Sequence, residues 1–449
     1  MKLIVAGMLA AGCWGTALAA QQPPAVLTLD EALALAGARN PAYRRAIAQA
    51  DASGAGVRAG FGAFLPSLSA GLSWSGNSST KVTGEDDFGR PVELPDPLTF
   101  RSSSASQSVS TSVTLFDGFR NLHEYRAARA SAWASEARMD AQAVTVEAEV
   151  SRRFYAALQA QQSVGVEEEL LAVSRQQLDA TDRLFRVAAR TEVDVLGAQI
   201  QVAQQEQALE QARGDARATL LLLAEAIGLE PDIAFRVDGA LPAAVDPTAL
   251  DADSLVAVAL AGSPRVMAAN AAASEAGYNA RAAKSGRWPT ISASAAFSRR
   301  TSLSSYDALF AFNPRDRAFG FGFEVRVPLF TQFQTSNTVA QAVAQERVAD
   351  ETLRETILEV ERGVRTAHIN LVTAFRRLQL AERQGELSQR RLTMAQQQYQ
   401  LGTISFTEFQ QVVTQTSQDA RQLITAGLEH ARARVALDEL LGLGGGVGR

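Results

Sequence analysis

Hydrophobic and polar residues alternate strictly from Phe319 to Leu329, and apolar residues then recur at seven-residue steps from Ile357 to Tyr399. In the first run Phe319, Phe321, Phe323, Val325, Val327 and Leu329 share one face. Gly320, Gly322, Glu324, Arg326 and Pro328 take the other, so the pattern predicts a strand with one apolar and one polar side. In the second run Ile357, Val364, Leu371, Leu378, Leu392 and Tyr399 form a stripe broken only by Gly385. A seven-residue repeat sustained over that length predicts a long, left-handed coiled helix.

The whole arrangement occurs twice. Leu115, Phe116 and Phe119 precede Leu329, Phe330 and Phe333 by 214 positions. The same offset carries Val150, Ala157, Leu171 and Leu178 onto the later stripe, and Ile227-Gly228-Leu229 onto Leu441-Gly442-Leu443. Upstream the offset is 223, taking Asn40-Pro41 to Ser263-Pro264 and Pro66 to Pro289. The chain therefore reads as a tandem duplication with a shorter connection between the strands of its second copy.

The division that follows begins with a targeting segment at 1–19. The first repeat, 20–229, comprises helices over 31–64, strands 66–76 and 105–117, a long helix 119–187, a tip 188–192 and a return helix 193–228. A linker covers 230–250. The second repeat, 251–443, comprises helix 251–287, strands 289–298 and 319–329, long helix 333–401, tip 402–405 and return helix 406–441, before a tail at 444–449. Each long helix would span about 100 Å, roughly twice its return helix. We expect the helix at 251–287 to continue the column of the first return helix, and the helices at 31–64 to continue the second. The segments 76–101 and 299–317 are polar and rich in Ser, Gly, Asp and Pro, and read as exposed loops.

Composition narrows the class. A formal charge of −5 with interspersed signs offers no basic face for nucleic acid. A single cysteine excludes an internal disulfide framework, and three scattered histidines leave no metal cluster. Lys2, the apolar run Leu3 to Ala11 and the small-residue signal Ala17-Leu18-Ala19 read as an export signal. The alternative is cleavage before Cys13, since Ala10-Ala11-Gly12-Cys13 resembles a bacterial lipoprotein box. Either way the mature chain leaves the cytoplasm.

The strand faces then decide the architecture. Leu72, Trp74, Val113, Phe297, Phe321 and Phe323 belong to apolar faces, whereas the opposite faces are almost all Ser, Gly and Thr. That suits a lipid-exposed barrel wall with a wet interior. Phe61, Phe64, Phe116, Phe119, Trp288, Phe330 and Phe333 gather at one end, as an interfacial girdle would. Four strands cannot close a membrane barrel, and lipid does not tolerate an open edge. Two copies would give a barrel too narrow for an open channel, so the pattern implies three copies and twelve strands.

At this point the chain resembles the TolC family of trimeric outer-membrane exit ducts. The resemblance is carried by Leu27-Thr-Leu-Asp-Glu-Ala-Leu33, Asn40-Pro41, Phe64-Leu-Pro-Ser-Leu68, Leu115-Phe-Asp-Gly118, Pro328-Leu-Phe330 and both helix tips, in order and twice over. It implies a mixed α/β membrane protein, with a 12-stranded outer-membrane barrel continued by a periplasmic α-helical tunnel. It also implies docking to a periplasmic adaptor and to an inner-membrane pump of the resistance-nodulation-division or ABC type. No cofactor is expected.

The same resemblance assigns adaptor contact to the tips, here Val187, Ala188 and Ala189 in the first and Leu401, Gly402 and Thr403 in the second. Gly402 permits the tight turn, while Ala188 must make it without glycine. Family members can carry paired carboxylates inside the second tip. Here Glu408 takes the first position and Gln411 the second, with Asp194 the counterpart of Glu408 in the other tip. An arginine associated with closure in the family is replaced by Ile404, and Arg190 stands at the equivalent place in the first tip. We expect a ring of Glu408, with Asp194, to titrate above the ordinary glutamate value and to favour cations. The plainer reading of both is a first-turn carboxylate at a helix start.

No motif supports an enzyme: there is no phosphate loop, no metal-ligand spacing and no placed nucleophile. His123 beside Glu124 reads as a surface pair. The competing class is a structural or adhesive surface protein, a coiled-coil stalk on a trimeric barrel anchor. A stalk needs no returning helices, whereas a tunnel wall needs them twice.

Overall fold

The computed structural model describes residues 26–442, except 86, 231–234, 245 and 305–316. The targeting segment, Cys13 and the tail lie outside the described residues.

In chain order the elements are β1 (Val26–Leu27), α1 (Leu29–Arg39), α2 (Pro41–Gly62), β2 (Ser67–Glu85), β3 (Pro91–Phe116), α3 (Arg120–Arg186) and α4 (Glu192–Ile227). After them come β4 (Arg236–Val237), a 3-10 turn at Pro247–Ala249, α5 (Ala252–Gly262), α6 (Pro264–Ser285), β5 (Thr290–Leu303), β6 (Ala318–Arg326), α7 (Gln334–Gln400) and α8 (Phe406–Leu441). The bounds of α3 and α7, and of α4 and α8, differ by 214 at both ends; those of α1 and α5, and of α2 and α6, differ by 223. The offsets read from the sequence are thus also those of the folded elements.

Local chemistry sets the boundaries. Thr28 caps α1 in a reciprocal box with Glu31, and Asn40 ends α1 while its side chain accepts from Ala42 and Tyr43 N–H to start α2. Pro41 and Pro264 each sit in the first turn of the second helix, where a missing N–H costs nothing. The long helices start from left-handed Phe119 and Phe333, each ring edge-on to the preceding Phe116 or Phe330 at 5.6 and 5.9 Å. Among the described residues no single helix is long and apolar enough to cross a membrane.

The sheet runs β2-β3-β5-β6, all antiparallel. Paired residues share a face, so Leu68, Thr111, Ala295 and Phe321 line up across one side, and Ser67, Ser112, Ser294 and Gly322 across the other. The serine face is knitted together by Ser67–Ser112, Ser69–Ser110, Ser73–Ser106 and Ser75–Ser104 hydroxyl hydrogen bonds of 2.7–3.0 Å. The hairpin is longer than its apolar pattern suggests. Strands β2 and β3 continue through most of 76–101, where loops are expected, and β5 continues to Leu303. The rest of the second expected loop, 305–316, lies outside the described residues. Backbone pairing does not need an apolar face, and Thr80, Val82, Thr83, Val92 and Thr99 favour extended chain.

Helices follow the same lateral order as the strands. Below the sheet α2, α3, α6 and α7 pack side by side; further down the order is α4, α3, α8, α7. The stacking of half-columns differs from the expectation. The C-terminal end of α4 meets the α1–α2 junction, not α6: Asn40 Nδ2 donates to the Ala226 carbonyl at 2.7 Å, and a Cβ on Gly228 (φ 86°) would lie 2.7 Å from the Arg39 carbonyl. Likewise Gly442 abuts the Gly262 carbonyl between α5 and α6, so α8 is continued by α6 and not by the helices at 31–64. The reason is connectivity. Because α2 enters and α3 leaves the same hairpin, α2 and α4 both lie beside α3, one above the other. The linker packs at this junction, with β4 parallel to β1 and Phe235 and Val237 in one core with Leu27, Phe154 and Ile227.

The predicted stripe is the seam of the coil: Val364, Leu371, Leu378, Leu392 and Tyr399 are buried, as are Val150, Ala157 and Leu171 in the first copy.

Candidate functional site: the two helix tips and the seam between them

Both tips are built alike. At the end of α3, Ala189 N–H reaches the Leu184 carbonyl and Ala188 N–H the Phe185 carbonyl; at the end of α7, Thr403 reaches Gln398 and Gly402 reaches Tyr399. This pair of bonds closes a helix through one left-handed residue. That residue is Gly402 (φ 72°) in one tip and Ala188 (φ 54°) in the other. The expected difficulty at Ala188 is thus real, and it is met by strain. Ala188→Gly should therefore steady the first tip by about 1 kcal/mol. Slower hydrogen exchange at the Ala188 and Ala189 amides would show it; unchanged or faster exchange would mean that the strain is relieved elsewhere.

The carboxylates close the opposite ends of the turns. Glu408 accepts from Ser405 N–H at 2.9 Å and from its hydroxyl at 3.0 Å, and Ser405 Oγ accepts from Glu408 N–H at 3.2 Å. Asp194 does the same with Thr191. The hydrogen bonds of each carboxylate are to its own capping residue, so the two do not meet within the chain. The Glu408 carboxyl is held below its usual value by the Ser405 backbone and side-chain hydrogen bonds to its ionised form. That is the direction a helix-start carboxylate takes in the single chain; the upward shift expected of the ring arises from repulsion between three copies. Gln411 is exposed one turn further on.

A depressed pKa stabilises the cap above the ordinary glutamate range, and the contribution fades as pH falls through the lowered value. Exchange at the Phe406–Phe409 amides, corrected for intrinsic rate, should rise in that acid window. Glu408→Gln keeps an acceptor and should remove the pH dependence; if the dependence persists, another group controls the tip.

Arg190 is not idle in the first tip. Its guanidinium lies 4.5 Å over the Tyr399 ring and its Nη2 reaches the Ile404 carbonyl at 3.4 Å, tying one tip to the other. Tyr399 in turn stacks on Phe409 at 5.1 Å, and its hydroxyl lies 3.3 Å from Thr181 Oγ1. Val187 and Leu401, the apolar ends of the two long helices, are exposed.

Two polar knots in the helix layer escape a reading of the sequence as stripe plus surface. Glu167, buried on α3, accepts from Arg421 Nε (2.7 Å) and Nη2 (2.9 Å) of α8 and from Gln205 Nε2 (2.6 Å) of α4. Asp419, buried on α8, accepts from Ser388, Gln384 and Gln415. Burial pushes its carboxyl up, but those hydrogen bonds outweigh it and the net shift is downward. The available signal was positional: Glu167 follows stripe residue Val164 by three and precedes Leu171 by four, where an apolar residue belongs. The histidines are structural. His123 is not a surface pair with Glu124; burial and the nearby Arg126 and Arg281 hold it below its usual pKa, and its Nδ1 has no partner among the described residues. His368 Nε2 lies 3.3 Å from the Pro247 carbonyl, and buried His430 packs on Phe375.

The chain's likenesses agree with this geometry. The family described as Outer membrane efflux protein matches residues 32–229 and 255–443, the two copies in turn. Outer membrane efflux protein BepC of Brucella suis is 24% identical over 267 residues, 59% of this chain and 55% of that protein, so the matched stretch spans about half of the relative's length. Among solved structures, a membrane protein from Pseudomonas aeruginosa superposes with a TM-score of 0.76 at 20% identity, covering 94% of this chain and 91% of that one. The Campylobacter jejuni CmeC outer membrane channel gives 0.76 at 15% identity, covering 94% and 87%. The open state of the Neisseria gonorrhoeae MtrE outer membrane channel gives 0.72 at 17% identity, covering 93% and 89%. With the family matched across both halves of the duplication and the fold shared along nearly the full length, the chain belongs to the outer membrane efflux protein family.

Proposed function

We propose that this chain is one stave of a trimeric exit duct in the bacterial outer membrane. Three staves pool twelve strands into a barrel, and their helices continue the pore through the periplasm. The observation that carries this reading is the stave itself. Among the described residues a four-stranded sheet with a phenylalanine-rich face has both edges, β2 and β6, unpaired, and it runs on into helices of about 100 Å. The duct is passive. Its exposed tips dock a periplasmic adaptor, and an inner-membrane pump of the resistance-nodulation-division or ABC type supplies the energy. The cargo class is small molecules, as the efflux relatives' names suggest, or a protein secreted in one step. A ring of Glu408, with Asp194, at the entrance favours cations.

The stalk-like adhesin fits less well, because α4 and α8 each return half the length of the long helices and thicken a wall. Native mass measurement in detergent together with conductance in planar bilayers tests the reading. Three copies with a stable conductance support it; a trimer without conductance favours the stalk, and a stable inserted monomer ends the model.

A further inference from the structure

Just below the sheet, α3 packs on α6 in a register fixed by two glycines. A Cβ on Gly118 would come 2.6 Å from Trp288 Cβ, and one on Gly286 would come 3.0 Å from Arg120 Nη2. Counting along the antiparallel pair, Leu122 stands level with Lys284, and Arg126 with Arg281 to within one residue. Burial and, after it, both Arg126 and Arg281 hold the His123 imidazole below its usual pKa, so the two cations flank one ring.

These cations lie on the outer face of the layer. Arg126 and Arg129 precede Val144 and Glu147 by five full turns, and those two line a cleft against Leu29 and Leu33 of α1. The arginines therefore share the face that carries α1, and a tube wall has room for α1 only on its outside. The Arg120–Gly286 contact marks the opposite face, about 120° from Arg126 around α3 and about 140° from Arg281 around α6. Lys284 and Trp288 continue the Arg281 stripe upward, and the Arg281 guanidinium lies 5.2 Å from the Tyr278 ring below it.

Arg126, Arg129, Arg281 and Lys284 are exposed, and among the described residues none has a carboxylate partner. The nearby acids are engaged or turned away. Asp117 accepts from the Asn121 N–H at 2.9 Å, Glu124 lies about 160° round α3 from Arg126, and Glu275 is about 9 Å further from the sheet than Arg281. His123 Nδ1, beside the arginines, is buried without a partner. Height decides what the cations meet. Trp288, 61% exposed, belongs to the aromatic band at the hydrocarbon boundary, and headgroups fill the next ~5–8 Å. Lys284 lies about 6 Å below Trp288 and Arg281 about 10 Å, within reach of that layer for long side chains.

We propose that Arg126, Arg281 and Lys284 form a site for the headgroup of an anionic phospholipid in the periplasmic leaflet, one per chain. The site lies on an inner seam between α2 and α7, so neighbouring copies leave it open. The other half of the duplication lacks it, since Ala340 and Phe61 stand at the positions of Arg126 and Lys284. The proposal rests on the outer-membrane trimer above.

Titration of phosphatidylglycerol into the purified full-length protein in nonionic detergent, read by native mass, tests it. Three basic residues at an anionic surface correspond to on the order of 100-fold in affinity, which Arg126→Gln with Arg281→Gln and Lys284→Gln should remove. Arg126→Lys with Arg281→Lys should keep it. Phosphatidylethanolamine should bind the unmodified protein and the triple variant alike. Three exposed cations of α7 serve as the control: Arg362→Gln with Arg383→Gln and Arg391→Gln should leave phosphatidylglycerol retention unchanged. Equal retention by the unmodified protein and the triple variant, equal loss in the α7 variant, or full displacement by an equal concentration of inorganic phosphate overturns the site. The same spectra count copies. Three copies without the lipid preference overturn the site and leave the trimer standing; a single copy that keeps the preference overturns the trimeric reading and leaves the site.

Discussion

Replacing Arg421 with alanine should weaken the periplasmic half of the α3–α8 seam by about 3 kcal/mol, far more than an exposed ion pair is worth. The reason is what remains behind. Glu167 is 5% accessible, and Arg421 supplies two of its three hydrogen bonds across the seam, the third coming from Gln205. Without the guanidinium a carboxylate stays buried with only an amide for a partner. We place the effect at the lower end of the range for broken buried pairs because the Arg421 side chain is itself 45% accessible. Local hydrogen exchange along α8 reads the loss. Adding Glu167→Gln to Arg421→Ala should recover most of it, since the stranded charge is gone. If the double variant is as weak as the single one, the cost comes from lost packing of the arginine stem and not from charge.

A charge at Phe323 should impair assembly by about 2–4 kcal/mol if the site lies near the membrane midplane, whereas a charge at the adjacent Gly322 should be tolerated. Phe323 pairs with Ala293, which pairs with Val113, along one face. Gly322 pairs with Ser294, which pairs with Ser112, along the other, where an added Cβ on Gly322 meets nothing within 4 Å. Glu324 and Arg326 share that second face, as their 2.7 Å ion pair requires. Phe323→Arg should thus reduce the yield of folded trimer in detergent, while Gly322→Asp should assemble and alter conductance. Equal water access of labels at the two positions would mean that the sheet faces are reversed.

Neither position needed a tertiary structure to be found. Strict alternation at Phe319–Leu329 determines which residues share a face, because successive side chains of a strand must diverge. The seven-residue stripe likewise determines which side of α7 is buried, and the 214-residue offset determines that α3, α4, α7 and α8 come as two matched pairs. Ala188 could also be singled out, since it stands where the second tip has Gly402.

Periodicity says that a face is covered, and not by what. For that reason the continuation of α4 by α2, and of α8 by α6, emerged only from the folded contacts at Gly228 and Gly442. The extension of the β2–β3 hairpin was hidden because its pairing is made by backbone groups, which no side-chain pattern reports. Arg190, placed by the resemblance at the gate position of the first tip, has its partners Tyr399 and Ile404 more than 200 positions away. Glu167 stands where the stripe calls for an apolar residue, and only the fold brings Arg421 of α8 to it. The sequence by itself determined the elements and their buried faces, which depend on residues a few positions apart. Only the tertiary structure decided which neighbour fills each face, because that depends on how columns of equal periodicity are stacked and ordered.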